Sequence, residues 1–296
     1  MTRVVEVPGH FDHQAFDEFA QAFGAPKDER LLFDAHATQW GSPYGLVGLL
    51  AAGQWLMERQ RPKPLLTIPN DRDVAHYWAR AGFFRHADEL FELHGKVPYV
   101  AASGSSDVLL DVTPVRGADD VHNVVDRIQD RAAAILRELG LEAQATMGFA
   151  MALSEACQNI VEHAGTGGWV AVQAYHWRRR LGRRVAVIAV ADAGVGFRAS
   201  LEPTQAQRVG ERWSDAAALE AAIFQGVSRF RDPGRGQGLN GMRRYVGRWD
   251  GKLSLRSGTA RLSIVPEWDD DVPMADGLPP FPGSQVQLII PAQPTK

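Results

Sequence analysis

The chain has 296 residues, 45% of them hydrophobic and 23% charged, with a formal net charge of −3. That composition excludes a collagen-like or wholly disordered chain, and at ~100–200 residues per domain it predicts two domains. The single cysteine, Cys157, excludes an internal disulfide and a thiolate zinc site.

No apolar run reaches the ~18–20 residues that span a bilayer. The start, MTRVVEVPGH, lacks the charged-then-apolar pattern of a signal peptide. A cytoplasmic protein with no membrane partner is expected. Basic and acidic residues number 11 and 15 through residue 117, and 21 and 20 beyond it. Neither half is strongly basic, so nucleic acid is not an expected partner.

In the first half, Val4–Val7 is a short β-branched run, and Phe11, Ala15, Phe16, Phe19, Ala20 and Phe23 recur at helical spacing. Arg30–His36 reads as a strand. Pro43–Gln60 reads as a helix with Ser42 as N-cap and proline in its first turn. Leu65–Ile68 reads as a strand, and Asp71–Ala81 as a helix capped by Asn70 or Asp71 and stopped by Gly82. Strands alternating with helices predict a small α/β domain. Val97–Val115 reads as extended. Thr113–Asp120 combines proline, glycine and charge and reads as a linker, which puts the domains at 1–115 and 116–296. His10, His13, His36 and His76 are scattered rather than spaced as metal ligands.

The stretch FDAHATQWGSPYGLVGLL, residues 33–50, is a strand, an irregular loop and a helix that opens with Gly-Leu. It resembles the STAS domain, the module of sulfate transporters and anti-sigma-factor antagonists. The resemblance implies a regulatory domain whose loop–helix junction carries a serine or threonine that accepts a phosphate. Here Tyr44 occupies that position and Ser42 lies two residues earlier.

In the second half, Val121–Leu139 and Ala145–Ala164 read as helices, the second ended by Gly165. Trp169–Trp177 and Val185–Ala191 read as a hairpin whose tip is the basic turn Arg178–Arg184. Phe197–Arg235 has little periodicity outside the helical stretch Ser214–Gln225. Gly238–Trp249 reads as a helix. Lys252–Arg256, Arg261–Val265 and Gln285–Ile290 read as strands, with an acidic, proline-rich insertion at Pro266–Gly283. Helices over a mostly antiparallel sheet predict an α+β two-layer sandwich.

Three segments carry chemistry. In MALSEACQNIVEHAG (151–165), Glu155, Asn159 and His163 stand at i, i+4 and i+8. Each step of four turns only ~40° and rises ~6 Å, so the three share one helix face. Glutamate offers a proton acceptor and asparagine an oxygen ligand suited to Mg²⁺, while a plain solvated face is the alternative. In DAGVGF (192–197), an acid ends an apolar strand and two alternate glycines follow. An aspartate at a strand end can accept a hydrogen bond from an exocyclic amine such as adenine's, and glycines such as Gly194 and Gly196 let backbone approach a ring or phosphate; an ordinary strand-to-loop turn is the alternative. In DPGRGQGLNGM (232–242), Gly234, Gly236, Gly238 and Gly241 open a helix, whose free N-terminal amides suit phosphate.

The order of these segments strongly resembles the GHKL (Bergerat-type) superfamily of ATP-binding domains over residues 120–292. LSEACQNIVEHAG is most similar to the anti-sigma-factor serine/threonine kinases. The resemblance implies ATP and Mg²⁺ as cofactors. Asn159 is then the Mg²⁺ ligand and Glu155 the catalytic base. Asp192, Gly194, Gly196, Gly236, Gly238, Leu239 and Ser284 form the ATP site, with Asp192 on the adenine amine and the Ser284 hydroxyl beside it. Phe197–Arg235 becomes a lid in which Arg229, Arg231 and Arg235 meet phosphate or solvent.

Two functions follow. One is a signalling protein kinase of the anti-sigma type acting on a STAS-type antagonist or a sigma-like regulator. The other is a nucleotide-gated interaction module with slow or no hydrolysis. A homodimer is compatible with either. A sensor histidine kinase needs an acceptor histidine followed by an acid, and HNVVDRIQ at His122 lacks it.

Overall fold

The computed structural model describes residues 2–24, 29–100, 108–127, 143–177, 181–227 and 237–292. The first half holds β1 (Thr2–Glu6), β2 (His10–Phe11), α1 (Phe16–Phe23), β3 (Arg30–Asp34), β4 (Trp40–Gly41), α2 (Pro43–Glu58), β5 (Leu65–Thr67), α3 (Arg72–Arg80), α4 (Phe83–Leu90) and β6 (Glu92–His94). A parallel four-stranded sheet runs β1-β3-β5-β6. Local chemistry sets the helix starts: the Ser42 hydroxyl accepts the Gly45 N–H at 3.1 Å, and Asp71 accepts the N–H groups of Asp73 and Val74. Gly82, with φ of +78°, ends α3 and turns the chain into α4, which periodicity alone did not predict.

The second half adds β7 (Val108–Val115), α5 (residues 118–127), α6 (Ala143–Asn159), a π-helical turn (Ile160–Ala164), β8 (Gly168–Trp177) and β9 (Arg183–Asp192). Then come α7 (Gly196–Val209), α8 (Asp215–Phe224), α9 (Gln237–Arg248), β10 (Lys252–Gly258), β11 (Ala260–Ile264), β12 (Met274–Ala275) and β13 (Phe281–Pro291). The strands make an antiparallel sheet in the order β12-β11-β10-β13-β9-β8-β7. The expected linker is instead the end of β7 and the start of α5. Pro114 is tolerated because β7 is an edge strand. The second sheet therefore begins at Val108, ahead of the division expected at 115/116. Residues 197–209, expected to be irregular, are helical, with Pro203 inside α7.

The halves share a core. On one face of the second sheet, Val170, Val172, Ile188, Val190, Val286 and Leu288 pack under Phe149, Leu153 and Leu219 of the covering helices. On the other, Trp169, Ala171, Ala189, Ala191 and Phe281 join Phe16, Phe19, Phe33, Tyr44 and Leu50 in the core of the first half. The buried helix α2 thus lies between the two sheets. This explains why Val185–Ala191 of β9 is a near-continuous apolar run: both its faces are covered. Trp169–Trp177 of β8 reads instead as an alternating strand, yet its two faces are covered as well. The expected two-layer sandwich gains further layers on its second face.

Candidate functional site

The site is built from the end of α6, the end of β9, the start of α9 and the start of β13. Along α6 the polar face runs through Glu155 and Asn159 into the π turn. Asn159 Nδ2 donates to the Glu155 carbonyl at 2.9 Å, which fixes the carboxamide and leaves Oδ1 as its acceptor. The wider π turn carries His163 and Glu162 around to the same cavity, and His163 Nδ1 lies 3.4 Å from the Ser200 hydroxyl of α7. Gly165, with φ of +74°, closes the turn.

Glu155 packs against Gly238 so closely that a Cβ on Gly238 would overlap the carboxyl group. Across the same crossing, a Cβ on Gly148 would lie 2.5 Å from the Tyr245 ring. The two glycines, one on each helix, let α6 and α9 approach. Burial, and then the charge of Glu162, hold the Glu155 carboxyl above the usual carboxylate range.

Asp192 ends β9 and is buried. Its Oδ1 accepts the Gly194 N–H at 2.8 Å and its Oδ2 accepts the Ser284 hydroxyl at 2.9 Å. Burial pushes the carboxyl up to about 6, although both hydrogen bonds favour the ionised form. A Cβ on Gly194 would overlap the Ala164 carbonyl, and a Cβ on Gly283 would overlap the Asp192 carbonyl. Gly196, with φ of +74°, lies against Ser257, whose hydroxyl accepts the Phe197 N–H at 3.0 Å and donates to the Gly283 carbonyl at 3.2 Å.

These groups face two adjoining cavities. The larger, about 760 Å³, is lined by Glu155, Asn159, Glu162, His163, Gly238 and Leu239 among others, within the range of small-molecule sites. The smaller, about 20 Å³, is lined by Asn159, His163, Asp192, Gly196, Phe197 and Ser284. Asn159, His163 and Phe197 line both, so the two cavities adjoin as a cleft in two parts, with Asp192 on the smaller part. Gly194 contributes its N–H to Asp192 rather than lining the cleft. Gly236, Arg229, Arg231, Arg235 and the tip residues Arg178–Arg180 lie outside the described residues.

Sequence reasoning missed Glu162, Ser200, Arg244 and Tyr245, all on the larger cavity, and Ser257 behind Gly196. Glu162 stands at i+7 from Glu155, a helical signal that was present. Ser257 lies 60 residues from its partner Phe197, and nothing local marks it.

Residues 119–243 match the family model of the histidine kinase-like ATPase domain. The match implies nucleotide binding by this part of the chain. It takes in the α6 motif, Asp192 and the start of α9, and it stops short of Ser284, which the fold brings to Asp192. No curated protein and no solved structure matches the chain.

Proposed function

We propose that the chain is a Mg²⁺-ATP-dependent serine/threonine protein kinase of the anti-sigma-factor type, with a STAS-like domain as its first half. The observation that carries the reading is the pair of adjoining cavities, with a buried, doubly hydrogen-bonded carboxylate on the smaller and a glutamate and an asparagine from one helix on the larger. Asp192 accepts the exocyclic amine of adenine, and Ser284 and Gly194 orient its carboxylate. Asn159 holds Mg²⁺ through Oδ1, the atom its own hydrogen bond leaves available. When bound, the ion neutralises phosphate charge. The N–H groups at the start of α9, about Gly238 and Leu239, face the phosphates.

Glu155, made more basic by burial, takes the proton of an acceptor hydroxyl. The hydroxyl oxygen bonds to the γ-phosphorus, the bond from that phosphorus to the β,γ-bridging oxygen breaks, and ADP leaves. The acceptor belongs to another molecule. Tyr44, at the usual acceptor position of the STAS resemblance, is buried and donates to Gln285 Oε1 at 3.1 Å. Its burial also favours the second reading, a nucleotide-gated interaction module, because no acceptor is presented in cis.

The test is calorimetric titration with Mg-ATP, followed by transfer of labelled γ-phosphate to candidate protein partners. Wild type is expected to bind, and Asp192→Asn to bind at least tenfold more weakly, the order expected for a lost charge-assisted hydrogen bond. Glu155→Gln is expected to bind ATP normally and to transfer no phosphate. Binding without transfer in wild type would leave the interaction module as the function.

A further inference from the structure

Asp192 sits at the end of β9, between β8 and β13. On the β13 side it meets Gly283 and Ser284, and on the β8 side Gly168 is its register partner. A Cβ on Gly168 would fall 2.6 Å from the Ala191 carbonyl and 3.1 Å from Asp192 Cβ, so the backbone there has no slack. The residues next to these contacts, Gln285 and Gly167, are each held by α2 of the first half. Tyr44, in its first turn, donates to Gln285 Oε1 at 3.1 Å. Gln54, nearly three turns on, donates to the Gly167 carbonyl at 3.0 Å and the Thr166 hydroxyl at 3.1 Å, and accepts the Trp169 indole N–H at 2.7 Å. The Thr166 hydroxyl also donates to Glu58 at the end of α2.

On the β13 side the approach is close. Gly48 faces Gln285, where a Cβ would lie 2.7 Å from Nε2. Gln285 is buried, and Nε2 has no hydrogen-bond partner among the described residues. Tyr44 therefore supplies the hydrogen bond that fixes this carboxamide.

We propose that Tyr44 and Gln54 are positioning residues for the adenine end of the nucleotide cleft. One helix of the first half bonds to both strands that flank Asp192 and so holds the residues beside it, Gln285, Gly167 and Trp169, in place. This inference rests on the reading of Asp192 as the adenine contact. Its consequence is reciprocal: whatever shifts α2 changes nucleotide affinity, and nucleotide tightens the docking of α2 by the same factor. The position that the STAS resemblance marks for phosphate thus serves here as a contact with the nucleotide domain.

The test uses the full chain and compares ATP with inosine triphosphate, which carries a carbonyl in place of the exocyclic amine. Calorimetric Kd values are measured for wild type, Tyr44→Phe and Gln54→Ala. Ile68→Val, in the first-half core beside Gly95, controls for general loss of stability. Both α2 variants are expected to bind ATP about tenfold more weakly, as for a lost buried hydrogen bond. Their preference for ATP over inosine triphosphate is expected to fall at least threefold, while Ile68→Val keeps the wild-type preference. Loss of affinity in the α2 variants no greater than in Ile68→Val, with the preference intact, would overturn the positioning role and leave the adenine reading standing. A wild type with no preference for ATP would overturn the adenine reading and this inference with it.

Discussion

A carboxylate that burial pushes up to about 6 carries a stability cost that depends on pH. Asp192 has an ordinary value of 3.8, so below about pH 4 it is protonated in both folded and unfolded chains and costs nothing through ionisation. Between about pH 4 and 6 the unfolded chain loses the proton first, and the folded state loses on the order of 3 kcal/mol, a cost that persists above pH 6. Asp192→Asn removes that dependence. The stability of Asp192→Asn minus that of wild type, from urea unfolding without nucleotide, is expected to rise with pH through this window. A pH-independent difference would show that the carboxyl is not raised. The same variant is expected to bind ATP poorly, so stability and function oppose each other at this residue. Cys157 is the contrasting case: burial pushes its thiol up to about 12, and it faces the core, which makes it a packing residue.

At the scale of the element, α9 shows how one helix carries glycines with different purposes. Gly238 lies under the Glu155 carboxyl, and Gly247 has nothing within 4 Å of where a Cβ would stand. Gly238→Ala must displace Glu155 or the start of α9 and is expected to abolish phosphate transfer and weaken nucleotide binding. Gly247→Ala is expected to raise stability by up to about 1 kcal/mol, the helix-propensity difference, and to leave binding unchanged. Thermal melts and titrations of the two variants check this pair. The π turn after α6 has a comparable purpose. It brings the Ala164 carbonyl to the Val195 N–H at 3.1 Å and so ties the α6 motif to the loop after Asp192.

For the whole molecule, the contact between the halves is apolar at one end and ionic at the other. Arg256 and Arg261 of the second sheet both pair with Asp17 of α1, at 3.1 and 2.7 Å. The buried Lys252 pairs with Asp269 and Asp271 at 3.0 and 2.8 Å, and its ammonium lies 3.2 Å from His13 Nε2. Burial, then the Lys252 charge, lower His13 to about 4, so it is neutral at pH 7 and accepts from Lys252. Burial alone would raise Asp271, but Lys252 and Arg261 hold it down at about 2. Asp17→Ala leaves two buried guanidinium groups short of a partner and is expected to cost about 3–5 kcal/mol. Because the core crosses the contact, the halves are expected to unfold together. Calorimetry of the full chain should give one transition, and two well-separated transitions would contradict a shared core.

The sequence by itself determined the local features: the Ser42 cap, a cap at Asn70 or Asp71 that the structure resolves to Asp71, the β8–β9 hairpin, and the order of the α6 motif, Asp192 and the glycine-led α9. Each depends on residues a few positions apart, so periodicity and side-chain chemistry suffice to read it. The apolar run of β9 also held the information that both its faces are covered, though not by what, whereas the alternation read in β8 did not. Tertiary structure decided the rest. It buried Tyr44 against Gln285, 241 residues away, and brought Ser284 to Asp192 across 92. It also made strand and helix of the expected linker. These outcomes depend on which surfaces meet, and a local pattern records only that a surface is apolar or polar. The residues of the cleft lie in short motifs, but the helix that bonds to the strands beside Asp192 comes from the other half of the chain.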